Sequence, residues 1–174
     1  AVVAIVVMLA MFAGSVFAQG GAEKGDKVYT LKLSTQLNET TPMVEGFKQL
    51  AESVKARSNG RLVVEVYPSA QLGSDEDVIE QALQGVNVAV LTDGGRMGNY
   101  VKDIAIIGMA YFADNYDDVL KVTQSAKFAE WEKELVDKNG IRILSFNWYD
   151  GGRHFFTNKV VNTPADLKGQ RIRT

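Results

Sequence analysis

The chain has 174 residues, 46% of them hydrophobic, and its 19 basic and 21 acidic side chains leave a net charge of -2. That much apolar material can bury a globular core and excludes a disordered chain. The near-neutral balance, with no basic tract or aromatic-interleaved basic patch, gives nucleic acid nothing to bind. Cysteine is absent and His154 is the single histidine, so no disulfide framework, no lipid-anchoring cysteine and little of a zinc site can be built.

Ala1 to Ala18 carry no charge and give way to a polar stretch from Gln19 to Lys27. Compact residues at Val16 and Ala18 predict a signal peptide over 1–18 cleaved after Ala18, with the basic n-region and initiator Met missing, followed by a polar spacer over 19–27. An uncleaved membrane anchor is the competing reading of the same residues. Either way the remainder is expected outside the cytoplasm, as a periplasmic protein.

Tyr29, Leu31 and Leu33 alternate with Thr30, Lys32 and Ser34, which predicts a half-buried strand. Thr41-Pro42 supplies an N-cap and a first helical residue, and Val44, Phe47, Leu50, Ala51 and Val54 share a helical face before Asn59-Gly60 ends it. Leu62, Val64 and Val66 predict a second strand that Pro68 stops, and Ser74 opens a helix with a capping-box spacing that closes at Gly85. Val86 to Leu91 is a short β-branched run suited to a strand covered on both faces, followed by a loop at Asp93-Gly94-Gly95.

Ile104 to Phe112 is apolar enough for a buried segment. A helix is expected from Asn115 to Lys138, with Val119, Val122, Ala126, Ala129 and Leu135 near one face and Asn139-Gly140 as its stop. Ile141 to Trp148 predicts a strand, His154 to Asn158 an extended segment, Thr163 to Asp166 a one-turn helix ended by Gly169, and Arg171 to Thr174 the start of another strand. Strands alternating with helices predict an α/β fold, a mainly parallel sheet with helices on both faces. The expected organisation is a first lobe over 28–150 and the truncated start of a second lobe over 151–174, the rest of that lobe being missing.

Open α/β sheets bind ligands outside the carboxyl ends of their strands, where Gln36, Asp75, Asp93, Arg153 and Arg173 fall. Arginine matches a carboxylate because its planar fork donates two parallel charge-assisted hydrogen bonds and keeps its proton. Asp150-Gly151-Gly152-Arg153 sets one such fork beside glycines that leave room for an anion. Trp148, Tyr149, Phe155 and Phe156 flank Arg153 and serve either as cleft walls or as core. No G-x-S-x-G elbow, H-E-x-x-H pair or Walker loop is present.

Several runs are specific in combination: Leu31-Lys32-Leu33, Ser58-Asn59-Gly60-Arg61 leading into Val64 to Pro68, Ser69-Ala70-Gln71-Leu72-Gly73, Gly151-Gly152-Arg153, and Asp166-Leu167-Lys168-Gly169-Gln170-Arg171-Ile172-Arg173. With them the chain resembles the DctP-type substrate-binding proteins of tripartite ATP-independent periplasmic (TRAP) transporters, the group of dicarboxylate and sialic-acid binders. One departure is Val88, where the family usually has an acid.

The resemblance implies a periplasmic binding protein type 2-like fold and a non-enzymatic protein without a cofactor. It would capture a small organic acid (a dicarboxylate, sugar acid or keto acid) in an interdomain cleft and deliver it to the TRAP integral membrane subunits. It implies that Arg173 makes a bidentate salt bridge to the ligand carboxylate, that Arg153 assists, that Arg171 is basic for structural reasons, and that Gln36, Asp75 and Asp93 add polar contacts. The alternatives are an exported hydrolase or lyase using Asp75, Asp93 and His154, and a ligand-binding partner of a membrane sensor.

Overall fold

The computed structural model describes residues 27–149, 154 and 156–171. The leader expected over 1–18, most of the spacer, and Asp150 to Arg153, Phe155 and Ile172 to Thr174 lie outside the described residues.

Among the described residues three parallel strands form the sheet: β1 (Tyr29–Ser34), β2 (Leu62–Tyr67) and β3 (Val88–Val90), in the order β2-β1-β3. Tyr29 pairs with Leu62 through to Ser34 with Tyr67 on one side of β1, and Lys32, Leu33 and Ser34 pair with Val88, Ala89 and Val90 on the other. Helix α1 (Pro42–Arg57) links β1 to β2, and α2 (Asp75–Leu83) links β2 to β3. The two crossovers run in opposite directions along the sheet. Right-handed connections therefore put α1 and α2 on opposite faces, as in a doubly wound α/β fold.

The local signals act as expected in this half. Thr41 is the N-cap of α1 with Pro42 at its first position, and Asn59 and Gly60 leave it with positive φ values of 52° and 76°. Ser74 caps α2 reciprocally: its Oγ accepts from the Asp77 amide at 3.2 Å while the Ser74 amide donates to Asp77 Oδ2 at 2.9 Å. On α1 the buried face narrows to Val44 and Phe47, and Leu50 is exposed.

Strand β3 is shorter than the six residues expected. Its hydrogen bonds to β1 run from Lys32 N to Asn87 O (3.1 Å) and from Leu91 N to Ser34 O (3.0 Å), but the Val88 amide turns back onto Val86 O at 2.8 Å, which breaks the extended run at its start. Asp93-Gly94-Gly95 is not a loop: Asp93 is the N-cap of a one-turn helix, α3 (Gly94–Met97). A 3-10 helix follows over Lys102–Gly108, in which Ile104 is fully buried, whereas Met109 and Tyr111 beyond it are exposed.

The single helix expected from Asn115 to Lys138 is two, α4 (Tyr116–Thr123) and α5 (Ala126–Asn139). Thr123 Oγ1 bonds back to Leu120 O at 2.9 Å, and Ser125 then caps α5 by accepting from the Phe128 amide at 3.2 Å. The restart shifts the buried face to Phe128, Trp131 and Leu135, leaving Ala126 and Ala129 exposed. These three side chains join Ile79, Met97, Val101 and Ile104 in the main core, with Val90, Ile141, Ile143 and Phe146 packed against it.

Gly140 closes α5 in the left-handed conformation, φ 69°. Ile141 to Tyr149 forms no strand: among the described residues it has no ladder partner, although Ile141 and Ile143 reach the core. The described residues of 154–158 likewise form no strand. The one-turn helix is present as a 3-10 turn over Pro164–Leu167 with a Thr163–Asp166 capping box.

Candidate functional site

Because the strands are parallel, their carboxyl ends share one edge, and each continues into a loop that the sequence shapes locally. After β1, Thr35 is buried and its Oγ1 accepts from the Leu37 amide at 3.2 Å, which bends the chain and leaves the Gln36 side chain exposed. After β2, Pro68 leads into Ser69 and Ala70, both with positive φ (56° and 55°). That conformation is uncommon for residues with a Cβ. It is held by backbone bonds back to the first loop, Ser69 N to Leu37 O at 2.8 Å and Ala70 N to Thr35 O at 3.0 Å. The loop delivers the chain to Ser74, whose cap places Asp75 at the first position of α2.

After β3 the Asp93 side chain accepts from the Arg96 amide at 3.0 Å. Gly94 and Gly95 form the turn where an added side chain would be crowded. A Cβ on Gly94 would meet the Ile104 carbonyl oxygen at 3.1 Å and Ile107 Cβ at 3.2 Å, and one on Gly95 would meet Asp93 Oδ1 at 2.9 Å. The first long side chain to leave this turn is Arg96.

Arg96 gathers the acids of the edge. Its Nε donates to Glu76 Oε1 at 2.8 Å, its Nη1 donates to Asp93 Oδ2 at 2.6 Å, and the same Nη1 lies 3.6 Å from Asp75 Oδ2. The structure thus brings Asp75, Asp93 and, through its contact with Asp75, Gln36 into one cluster. Arg96 and Glu76 are the members that sequence reasoning missed. A signal existed: Asp93-Gly94-Gly95-Arg96 is the same tetrapeptide as Asp150-Gly151-Gly152-Arg153. Just before Asp93, Thr92 Oγ1 is buried without a hydrogen-bond partner among the described residues.

Asp75 is the unusual acid of the group, with a relative exposure of 6%. Burial pushes its pKa above the ordinary carboxylate value, the Gln36 side chain and Arg96 pull it down, and Glu76 and Asp93 push it up again. Glu76 goes the other way, lowered chiefly by its hydrogen bond from Arg96, and Arg96 is raised by that same bond. The arrangement offers carboxylate and amide oxygens as acceptors, with one guanidinium among them. Among the described residues no group of histidine and carboxylate side chains is placed to hold a metal ion.

The expected carboxylate anchors Arg153 and Arg173 lie outside the described residues, and Arg171 is exposed. The flanking aromatics divide. Trp148 packs edge-on against buried Phe47, ring centroids 4.5 Å apart, and bonds Ser145 Oγ through Nε1 at 3.0 Å; Tyr149 leans on Tyr116 and is exposed, and Phe156 is almost wholly exposed. His154 is exposed. Asp75 and Asp93, the acids a hydrolytic reading would use, are both engaged by Arg96.

Comparison with known proteins gives the chain its relatives. It is 28% identical over 144 residues to the sialic acid-binding periplasmic protein SiaP of Vibrio cholerae, covering 83% of this chain and 44% of that one. It is 31% identical over 150 residues to the C4-dicarboxylate-binding periplasmic protein DctP of Rhodobacter capsulatus, covering 82% and 43%. Among solved structures, a TRAP periplasmic solute binding protein from Desulfovibrio salexigens in complex with diglycerolphosphate superposes with a TM-score of 0.77 at 31% identity, over 82% of this chain and 45% of that one. The chain therefore spans less than half the length of each of these relatives. Residues 33–174 match the model of bacterial extracellular solute-binding protein family 7, and the chain belongs to that family.

Proposed function

We propose that this chain is part of an extracytoplasmic solute-binding protein that captures a small organic acid and hands it to the membrane subunits of a TRAP-type transporter. The observation that carries the proposal is the gathering of Asp75, Glu76 and Asp93 around Arg96, with Gln36 beside Asp75, at the carboxyl edge of the parallel sheet, within a family of solute-binding proteins. The described residues supply one wall of a cleft. The rest of the proposal is a 28–150 lobe facing a second lobe that begins near Gly151, the two closing on the solute by a hinge. Ala1 to Ala18 would be the export signal, which agrees with the periplasmic relatives.

Arg173 and Arg153 are the proposed carboxylate anchors, on the strength of the motifs around them. Binding needs no covalent step and no cofactor. The relatives bind two kinds of solute by name: sialic acid and diglycerolphosphate, which carry one anionic group and several hydroxyls, and C4-dicarboxylates, which carry two anionic groups.

The test is a thermal-shift screen of the full-length protein against sugar acids, keto acids and dicarboxylates, where a bound solute raises the melting temperature with concentration. Arg173→Ala is expected to weaken the solute found by roughly 100- to 5,000-fold, and Arg173→Lys to restore little of it because an ammonium cannot make the paired hydrogen bonds. A flat screen together with turnover of any of these acids would overturn the proposal in favour of an exported enzyme.

A further inference from the structure

The charge at the strand ends distinguishes the two kinds of solute. Three carboxylates, Asp75, Glu76 and Asp93, share the single guanidinium of Arg96, and no other cation pairs with them among the described residues. Two of the guanidinium nitrogens are engaged: Nε by Glu76, and Nη1 by Asp93 and Asp75. Among the described residues this cluster therefore carries a formal surplus of two negative charges. One of these acids, Asp75, has a relative exposure of 6%, so bulk solvent screens it poorly.

Resting on the solute-binding proposal above, we infer that this edge receives the uncharged, hydroxylated end of the solute and repels a second anionic group. The solute is then an organic acid with a single anionic end and a polyol tail, and dicarboxylates are turned away. A hydroxyl suits the cluster in both senses: it donates to the Asp75, Asp93 or Glu76 oxygens and accepts from the remaining N–H groups of Arg96. An ammonium tail offers donors only, so the remaining N–H groups of Arg96 would meet no acceptor. A second carboxylate offers acceptors only, and the cation that the described residues place at this edge is already shared by three acids.

The matched probes are L-galactonate and galactarate, which share a six-carbon hydroxylated skeleton and differ in whether the far end is a hydroxymethyl or a carboxylate. N-acetylneuraminate, succinate and 4-aminobutyrate complete the set, titrated calorimetrically into the full-length protein at pH 7. The expected result is that a hydroxylated monocarboxylate binds about 30-fold or more tighter than galactarate and succinate, an order-of-magnitude consequence of placing one more anion within several ångströms of the surplus charge. Asp93→Asn, which keeps the N-cap acceptor of α3, should narrow that ratio about fivefold.

Glu76→Gln, at an exposed position, should narrow the ratio in the same direction if Asp93→Asn fails to fold. Succinate or galactarate binding as tightly as the hydroxylated monocarboxylates, with Arg96→Gln abolishing the diacid, would place the second carboxylate on Arg96 and overturn the inference while leaving a solute-binding protein. Tighter binding of 4-aminobutyrate would also overturn it. Binding of none of these acids, while the wider thermal-shift screen finds a bound solute that is not a hydroxylated monocarboxylate, would overturn this inference alone, and a flat screen together with turnover would remove the solute-binding proposal with it.

Discussion

Replacing Asp75 by Asn tests whether the buried acid is kept for its charge or for the fold. The substitution preserves volume and one acceptor oxygen and removes the charge from a side chain that is almost wholly buried. Two effects oppose. The pair with Arg96 is lost, but that contact is long, 3.6 Å, and the guanidinium is one-third exposed, so solvent screening limits it to about 0–1 kcal/mol. The cost of holding a carboxylate out of water is relieved, which returns a comparable amount. The variant should therefore lie within about 1 kcal/mol of the parent at pH 7, whereas a buried ion pair held for stability would lose about 3–5 kcal/mol when broken.

The pH dependence has a definite sign. Because the folded pKa of Asp75 is raised, the folded protein binds this proton more readily than the unfolded chain does. The acid's contribution to stability is thus least favourable at neutral pH and improves as pH falls through the folded value toward the unfolded value of about 4. Asp77 and Asp166, lowered by their capping hydrogen bonds, act in the opposite sense and lose their contribution as pH falls. The difference between parent and Asn variant isolates Asp75. Urea unfolding of the full-length proteins from pH 4.0 to 7.0, values chosen to span the carboxylate range, should show the parent gaining on the variant as pH drops. A loss of 3 kcal/mol or more at pH 7, or a parent that gains on the variant as pH rises, would refute the reasoning. Solute affinity should fall about tenfold in the same variant, since a hydrogen bond to a charged acceptor becomes one to a neutral amide.

Two further outcomes test how the site is supported. Leu135 is fully buried on α5 among Ile104, Phe128 and Trp131, so Leu135→Ala should cost about 3–4 kcal/mol by denaturant unfolding; less than about 1 kcal/mol would mean that α5 is not part of this core. Gly98→Ala would set a Cβ 2.6 Å from Ala105 Cβ and 3.0 Å from the Gly95 carbonyl oxygen. It should cost about 1–3 kcal/mol and weaken solute binding together with stability, because the displaced turn carries Asp93 and Arg96.

Much of the first half of the fold was legible because its signals are local. Thr41-Pro42, the Ser74–Asp77 box and the Asn59-Gly60 and Gly140 exits all act within a few residues, and each sits where the sequence puts it. The misreadings have physical causes. One helical pattern runs through Ser125, a residue able to cap as well as to sit mid-helix, and the cap prevails. Ile141 to Trp148 has the apolar content of a strand, but a strand also needs a partner, and periodicity carries no information about which neighbour is present. Val86 was assigned to a ladder from which a turn onto its own carbonyl excludes it.

The site shows the same division between what is local and what is long-range. Gln36, Asp75 and Asp93 lie near one another because each follows a strand or opens the next helix, which a parallel sheet converts into proximity. Arg96 was missed because Asp93-Gly94-Gly95 read as a loop, and a loop gives no direction to the residue after it. Once Asp93 caps a helical turn, the direction is fixed: the glycines pack against the 3-10 segment where a side chain would be crowded, and Arg96 emerges on the side of Asp93 and Glu76. The ion pair with Glu76 then spans twenty positions of sequence and joins the starts of α2 and α3. At the proposed site such a clamp would hold the acceptor oxygens of two separate loops in one arrangement before a solute arrives, lowering the ordering that binding must otherwise impose. Losing Arg96 should therefore loosen the edge as well as change its charge. The two effects separate in Arg96→Lys, which keeps the charge but cannot donate along both Nε and Nη1.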